Sequence, residues 1–422
     1  MSVLVLHQVG SLNAVPYDAW FADHDGDVLL LASRENLDRV GEEIPASGTG
    51  YAHAEAVDGY DTGGRLEERA LDLAREHGVT RIVAPHERDL ERAAALREIL
   101  GLPGQRRETV LPFRDKALMK ELAAAAGVRV AAYREIETAT DIVAFADRHA
   151  FPVVLKPRDS AGSVGLHILH TREELDAYLA DGFDLYGPDQ PNLIAEEYVP
   201  GPLCHVDGLV LDGRLALAWP SQYQYALATY ATDTGPRIDL TLDRDDPLAH
   251  RLLAFTERLL EALPGPANFA FHAEVFHTPD DELVLCEIAC RTGGAAIRDI
   301  VTLLFGADPT QSWLRAELGL PVPVERPAPG SAELPLPRTM TGQLVLMKRP
   351  GRVNAVPDAP PDLPWIERFR VFVRPGQTMT AARTSSDFLC TVLVSGPDRA
   401  TVEQRLRQVE TWFLGELVLD EA

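Results

Sequence analysis

Hydrophobic positions along this chain recur in two periods, and each change of period marks an element boundary. The run Val3–His7 is apolar throughout and reads as a buried strand. Apolar residues then recur at helical spacing over Leu66–Glu76, with Gly78 placed to end that helix. A second apolar run, Arg81–Pro85, precedes helical spacing over Asp89–Leu100. Strand–helix–strand alternation across residues 1–110 predicts a parallel, doubly wound α/β unit.

Leu102-Pro103-Gly104 breaks the pattern. Asp115 is a good helix cap, the body KALMKELAAAA has high helix propensity, and Gly127 stops it. Strands follow near Val130–Tyr133, Pro152–Lys156, Leu166–Leu169 and Leu193–Tyr198, with helices near Ala139–His149 and Glu173–Leu179. Two strands, His205–Leu211 and Arg214–Trp219, flank Asp212-Gly213, a strong hairpin turn. Residues 220–240 lack a period and read as a long loop; a helix over Pro247–Leu263 and strands at Phe269–Phe276 and Leu283–Ala289 come next. A proline-rich stretch at 321–337 reads as a linker, and the last part of the chain as a small α+β unit closed by a helix near Arg399–Leu414. The expected division is 1–110, 111–320 (with an inner boundary near 192–193) and 321–422.

Composition narrows the function. The 422 residues carry a net charge of −24, a field that repels nucleic acid and anionic membranes. Four scattered cysteines fit reduced thiols, and no apolar run reaches the ~18 residues of a membrane span, so a cytoplasmic protein is expected. Homodimers are the commonest assembly for such chains. Of the 40 basic residues only Lys116, Lys120, Lys156 and Lys348 are lysines. A compact ammonium suits phosphate, so each merits attention.

The sharpest signal is FAFHAEVFHTPDDELVLCEIACRTGG. If the hairpin is symmetric about Asp280-Asp281, Glu274 and Glu287 stand opposite each other, and His272 opposite Ala289. Two carboxylates at cross-strand distance need neutralising, and a divalent cation does so. The same pairing also suits glycosidase acids, and a different register would put one Glu in solvent. Arg291 shares their face if the strand continues, where it could stabilise developing negative charge. Lys156 ends FPVVLK and leads into RDSAGSVG, whose Ser160, Gly162, Ser163 and Gly165 let backbone approach a polyphosphate. Lys116 sits in a first helical turn, where a cation is disfavoured unless an anion binds, whereas Lys120 reads as a solvated surface residue. Walker A, H-E-x-x-H and G-x-S-x-G patterns are absent.

Together the segments LPGQRRETVLPFRDKALMKELAAAAGV, FPVVLKPRDSAGSVG, IAEEYVPGPLCHVDG and HAEVF…LVLCEIACRTGG resemble the ATP-grasp superfamily. The resemblance implies an α/β and α+β fold: an N-terminal Rossmann-like pre-ATP-grasp domain, the ATP-grasp core and a small C-terminal α+β lobe. It implies ATP and Mg²⁺ as cofactors, with Lys116 and Lys156 on phosphates, Ser160–Gly165 as a flap, and Glu196, Glu197, Tyr198 and Val199 as the adenine hinge. His205 or Asp207 would approach the ribose, Glu274 and Glu287 would bind Mg²⁺, and Arg291 would be catalytic. Two departures stand out: Ala289 replaces the family's frequent metal-binding Asn, and Leu203 a frequent Glu. His272, opposite Ala289, could compensate.

Within the superfamily the chain looks most like carboxylate–amine ligases that join amino acids, including dipeptide and carnosine-synthase-like enzymes. Their chemistry makes an acyl phosphate that an amine attacks, releasing ADP and phosphate. Carboxylases of the biotin or purine type and a non-catalytic ATP-binding protein are the alternatives. Expected partners are small carboxylates and amines. Candidate substrate contacts are Glu87, Tyr223, Tyr225, Tyr230, Gly293, Gly294 and Arg298.

Overall fold

The computed structural model describes residues 2–183, 192–225, 235–325, 334–382, 385 and 387–420. Tyr230 and the centre of the proline-rich stretch lie outside them.

The N-terminal unit runs β1 (Ser2–His7), α1 (Tyr17–Trp20), β2 (Val28–Ser33), α2 (Arg34–Val40), β3 (His53–Val57), α3 (Arg65–Glu76), β4 (Val79–Val83) and α4 (Glu87–Leu100). Its sheet is parallel with order β3-β2-β1-β4. Every residue of β1 and β2 is buried, as expected of strands covered on both faces. The order reverses between β1 and β4, so their C-terminal ends open a crevice, and Gln8–Gly10 and Pro85–Glu87 line it. The sequence reading did not mark β2 and β3. Val28–Ser33 runs straight into a helix, with Ser33 capping Asn36 at 3.2 Å, and no turn residue separates the two.

The second unit runs α5 (Arg107–Val110), α6 (Lys116–Ala125), β5 (Tyr133–Ile136), α7 (Ala139–His149), β6 (Val153–Pro157), β7 (His167–Leu169), α8 (Arg172–Asp181) and β8 (Leu193–Glu197), forming the sheet β5-β8-β6-β7. Asp115 caps α6 as the sequence predicts, accepting from the amides of Ala117 (2.9 Å) and Leu118 (3.2 Å).

The largest sheet is built from β9 (Leu203–Leu211), β10 (Arg214–Tyr223), β11 (Arg237–Thr241), β12 (Phe269–His277) and β13 (Leu283–Ala289), with α9 (Pro247–Ala262), α10 (Ile297–Phe305) and α11 (Pro309–Glu317) packed around it. It continues through β14 (Met340–Met347) and is joined, past β15 (Gly351–Ala355), by β16 (Ile366–Val371) and, past β17 (Thr378–Met379), by β18 (Phe388–Gly396); α12 (Arg399–Glu416) and β19 (Val418–Asp420) close the chain. The order is β13-β12-β9-β10-β11-β14-β18-β16, so one sheet crosses position 320. α12 buries Val402, Leu406, Val409 and Phe413, one apolar stripe at helical spacing, against this sheet's C-terminal strands. Asp212 and Gly213 both have positive φ (52° and 73°), the backbone of a tight primed hairpin turn.

The long loop expected over 220–240 is strand at both ends, since β10 reaches Tyr223 and β11 starts at Arg237. β11 hides from periodicity because all five residues are buried, including polar Arg237, Asp239 and Thr241. Among the described residues no helix is long and apolar enough to cross a membrane.

Candidate active site in the central cleft

A cleft of about 1330 Å³ lies between the three units. It is lined by Lys116, Lys156, Ser160, Gly162, Ser163, Glu196, Glu197, Tyr198 and Val199, and by Tyr223, Glu274, Glu287, Arg291, Gly293, Gly294, Arg298 and Glu87. One hollow thus gathers candidates from positions 87 to 298 of the chain.

Glu274 and Glu287 are direct cross-strand partners, and His272 stands opposite Ala289. The symmetric turn holds only for that half of the hairpin. A bulge after Glu274 pairs Val275 with Leu285 and leaves Cys286 as the extra residue. Glu287 keeps 30% of its side chain exposed toward the cleft, and Lys116 Nζ sits 3.2 Å from its carboxylate. Burial would raise the Glu287 pKa, but Lys116 and Lys156 outweigh burial and hold it below the usual range. The same Lys116 ammonium donates to the Ser160 carbonyl at 2.6 Å, tying α6 to the flap.

The flap is a tight turn in which Gly162, Ser163 and Gly165 all have positive φ. Gly165 does not line the cleft: it backs onto Pro157, and a Cβ there would lie 2.8 Å from the proline ring. Ser385 donates to the Gly162 carbonyl at 2.9 Å, so the C-terminal region touches the flap.

Lys120 is not a surface residue; it is 0% exposed. Its Nζ lies 3.4 Å from Glu196, which also meets Lys156 at 3.1 Å. The census of four lysines pointed to Lys120, but its place four residues after Lys116 suggested solvent. In fact Lys116 and Lys120 lie on one face of α6, and that face packs on β13, where Lys120 also donates to the Cys286 carbonyl at 3.3 Å. The Glu196 carboxylate is therefore engaged by two ammoniums. Burial would raise its pKa, but Lys120 and Lys156 lower it. Burial lowers the Lys120 pKa against the pull of Glu196, while Lys156, at the shorter distance, is raised despite burial.

His205 and Asp207, expected near a ribose, are buried and do not line the cleft. They share a face with Glu274 and His272 across the β9–β12 pairing, but the Tyr223 ring covers His205 at 4.5 Å. They belong to a buried row of alternating charge. His205 donates to Asp207 (2.5 Å) and to Asp239 (3.0 Å), and His272 donates to Asp207 (2.8 Å) and lies 3.4 Å from Glu274. Both nitrogens of each ring face carboxylates, which requires imidazolium. Burial opposes that charge, yet the carboxylates win: the pKa of His272 is pushed up to about 9 and that of Asp207 down to about 2. His272 thus buttresses Glu274 through its other nitrogen.

Arg291 lies past the end of β13 and is gripped by Glu87, with Nε at 2.8 Å. Glu87 also accepts from Arg114 at 2.5 Å. Burial would raise the Glu87 pKa, but the two guanidiniums hold it low. No sequence motif flags Arg114. Arg298, in the first turn of α10, donates to the Ala14 carbonyl at 3.0 Å and so meets the N-terminal unit.

The donor set fits a nucleotide triphosphate with a divalent cation. Two hard carboxylates stand side by side, and buried ammoniums rest on carboxylates that a polyphosphate would replace.

Residues 115–210 match the family Carbamoyl-phosphate synthase L chain, ATP binding domain. Residues 343–411 match the family L-amino acid ligase C-terminal domain 2. Among solved structures, an L-amino acid ligase from Bacillus licheniformis superposes with a TM-score of 0.74 at 17% identity, covering 100% of this chain and 98% of that one. The biotin carboxylase domain of Hydrogenobacter thermophilus 2-oxoglutarate carboxylase, solved with MgADP, gives 0.70 at 15% identity, covering 99% and 90%. The chain has the ATP-grasp fold. Within it, the similarity in sequence runs to amino acid ligases. The L-arginine-specific L-amino acid ligase of Bacillus subtilis is 26% identical over 255 residues, 59% of this chain and 60% of that protein. Dapdiamide A synthase of Enterobacter agglomerans is 29% identical over 199 residues, 43% of each chain. The matched segments therefore span under two thirds of these relatives' lengths.

Proposed function

We propose that this protein is an ATP-dependent carboxylate–amine ligase, joining small molecules, amino acids by kinship, through an acyl phosphate with release of ADP and phosphate. The observation that carries the reading is the cross-strand pair Glu274–Glu287 facing Lys116 and Lys156 in a cleft that continues to Arg291 and Arg298. The match of residues 343–411 to an L-amino acid ligase domain supports the amine as nucleophile.

Each residue has a task in that chemistry. Lys116 and Lys156 exchange their carboxylate contacts for phosphate oxygens, and the flap covers them. Glu274 and Glu287 would hold Mg²⁺; when bound, the ion offsets the charge on the phosphates during transfer. Arg291, oriented by Glu87, faces the place where the substrate carboxylate gains its phosphoryl group and where the oxyanion forms when the amine attacks. Ala289 leaves the metal site without an amide ligand, and the buttress from His272 holds Glu274 in place.

The test is coupled assay of ADP release across carboxylate and amine pairs. ADP should appear only when both are present, and Glu287→Ala should lower turnover by about 100-fold or more while the variant still folds. AMP as product, or dependence on bicarbonate in place of an amine, would overturn the reading.

A further inference from the structure

The cleft is lined by eleven Lys and Arg side chains against eight Asp and Glu. The whole chain has the opposite balance, 40 against 64, so the positive charge is concentrated where substrates enter. Part of this excess belongs to the phosphate end. Another part is separate from it. Arg368 and Arg370 alternate along β16 and so share one face of that edge strand, and both line the cleft together with Arg298.

These three guanidiniums answer to different neighbours from Arg291. Arg291 feels Glu87, Glu287 and Glu274, whereas Arg370 feels Arg368, Asp299, Arg298 and Glu42. The acids near the second group are already engaged. Asp299 pairs with Arg368, Asp308 lies 3.5 Å from Arg298, and Glu42 accepts from Ser11 and from the Leu12 amide at 2.8 Å. Arg370 has no acidic hydrogen-bond or ion-pair partner among the described residues. Partial desolvation in the cleft and the two neighbouring arginines weaken its hold on its proton, a cost that an incoming anion would remove.

A guanidinium fork matches a carboxylate in two parallel hydrogen bonds. The carboxylate that is activated loses its charge in the reaction, and it belongs beside Arg291. A fixed cationic group elsewhere in the cleft suits a charge that persists through the reaction, either the α-carboxylate that an amino-acid amine donor keeps or a carboxylate on a substrate side chain, and substrate pairs that differ only in the side chain separate the two. We infer that Arg298, Arg368 and Arg370 form a subsite for a spectator carboxylate on a substrate side chain, so that one of the two joined molecules is acidic. This rests on the ligase reading and names its substrate class.

The experiment compares partners that differ in charge alone: L-glutamate with L-glutamine, L-aspartate with L-asparagine, succinate with succinamate. Each is assayed for ADP release with a panel of second substrates. The acid should exceed its amide by about tenfold or more in kcat/KM, a difference of about 1.4 kcal/mol. Arg370→Gln should bring that ratio toward one, and Arg370→Lys should restore part of it. Arg370 is exposed on an edge strand, so the substitution spares the core. Amides used as well as acids, or a ratio unmoved in Arg370→Gln, would overturn the inference. Calorimetric binding of the same acid and amide probes needs no turnover. If no pair releases ADP the ligase reading fails, while tighter binding of the acids, lost in Arg370→Gln, still supports the subsite, and equal binding refutes it.

Discussion

Replacing Glu196 with Gln tests whether the buried charges of the cleft are arranged as described. Glu196 is 6% exposed and touches two ammoniums, Lys156 at 3.1 Å and Lys120 at 3.4 Å. At an effective dielectric constant of about 20, each contact is worth roughly 5 kcal/mol of gross attraction. Desolvation of the carboxylate and of both lysines offsets most of that, so the arrangement as a whole adds little net stability. Removing one member is different. Gln leaves two ammoniums buried close together without the counter-charge they share, and breaking a buried pair in this way costs about 3–5 kcal/mol. The expected result is a melting temperature lower by roughly 3–6 °C for a chain of this size, without nucleotide. The double variant Lys120→Met/Glu196→Gln removes one stranded cation along with the carboxylate. Its loss should be smaller than the sum of the two single losses by about 1 kcal/mol or more. The assay is thermal or urea unfolding followed by tryptophan fluorescence, with Trp219 and Trp313 as buried reporters. A Glu196→Gln variant melting within about 1 °C of the parent, or strictly additive losses, would refute the reasoning.

Two further outcomes follow from the same geometry. The row Asp239–His205–Asp207–His272–Glu274 makes stability depend on pH. His272 has a folded pKa raised to about 9 above its usual 6.5, so its contribution is complete below pH 6.5 and is lost as pH rises toward 9. Asp207, lowered to about 2 from 3.8, contributes above 3.8 and loses that contribution as pH falls toward 2. Unfolding titrations should show an alkaline loss in which the His272 share, on the order of 3 kcal/mol, disappears in His272→Gln while the share of His205, also raised by its carboxylates, remains; an equal total loss in that variant would contradict the assignment. Gly201 has φ +118°, and a Cβ there would sit 2.2 Å from the His277 carbonyl. Gly201→Ala should therefore force apart the segment after β8 and the end of β12, costing about 1–3 kcal/mol and weakening nucleotide binding through the adjoining hinge at Glu197–Val199; a melting curve and nucleotide affinity like the parent's would show that the contact yields freely.

Much of this protein was legible in its sequence where local chemistry sets local structure. The Asp115 cap, the Asp212-Gly213 turn, the helices with a single apolar face and the hairpin that opposes Glu274 to Glu287 all depend on residues within a few positions of one another. The scarcity of lysine singled out Lys116 and Lys156 for the same reason: composition needs no fold to be read. What the sequence could not settle was decided by contacts between distant segments. Lys120 became a buried counter-ion because α6 packs on β13, and the partner it needs, Glu196, is 76 residues away in number. β11 escaped detection because its polar residues face inward onto His205 and Gln343, so burial and hydrophobicity no longer coincide along it. His205 and Asp207 were placed near an open site by their position after the hinge, yet Tyr223, from the neighbouring strand, covers them. Even the carboxylate pair, the clearest feature of the sequence, took its final form from tertiary structure. The bulge at Cys286 confined the expected register to the half of the hairpin that carries the site, and the lysines that neutralise the pair arrive from α6 and β6, which only the packing of the units brings within reach.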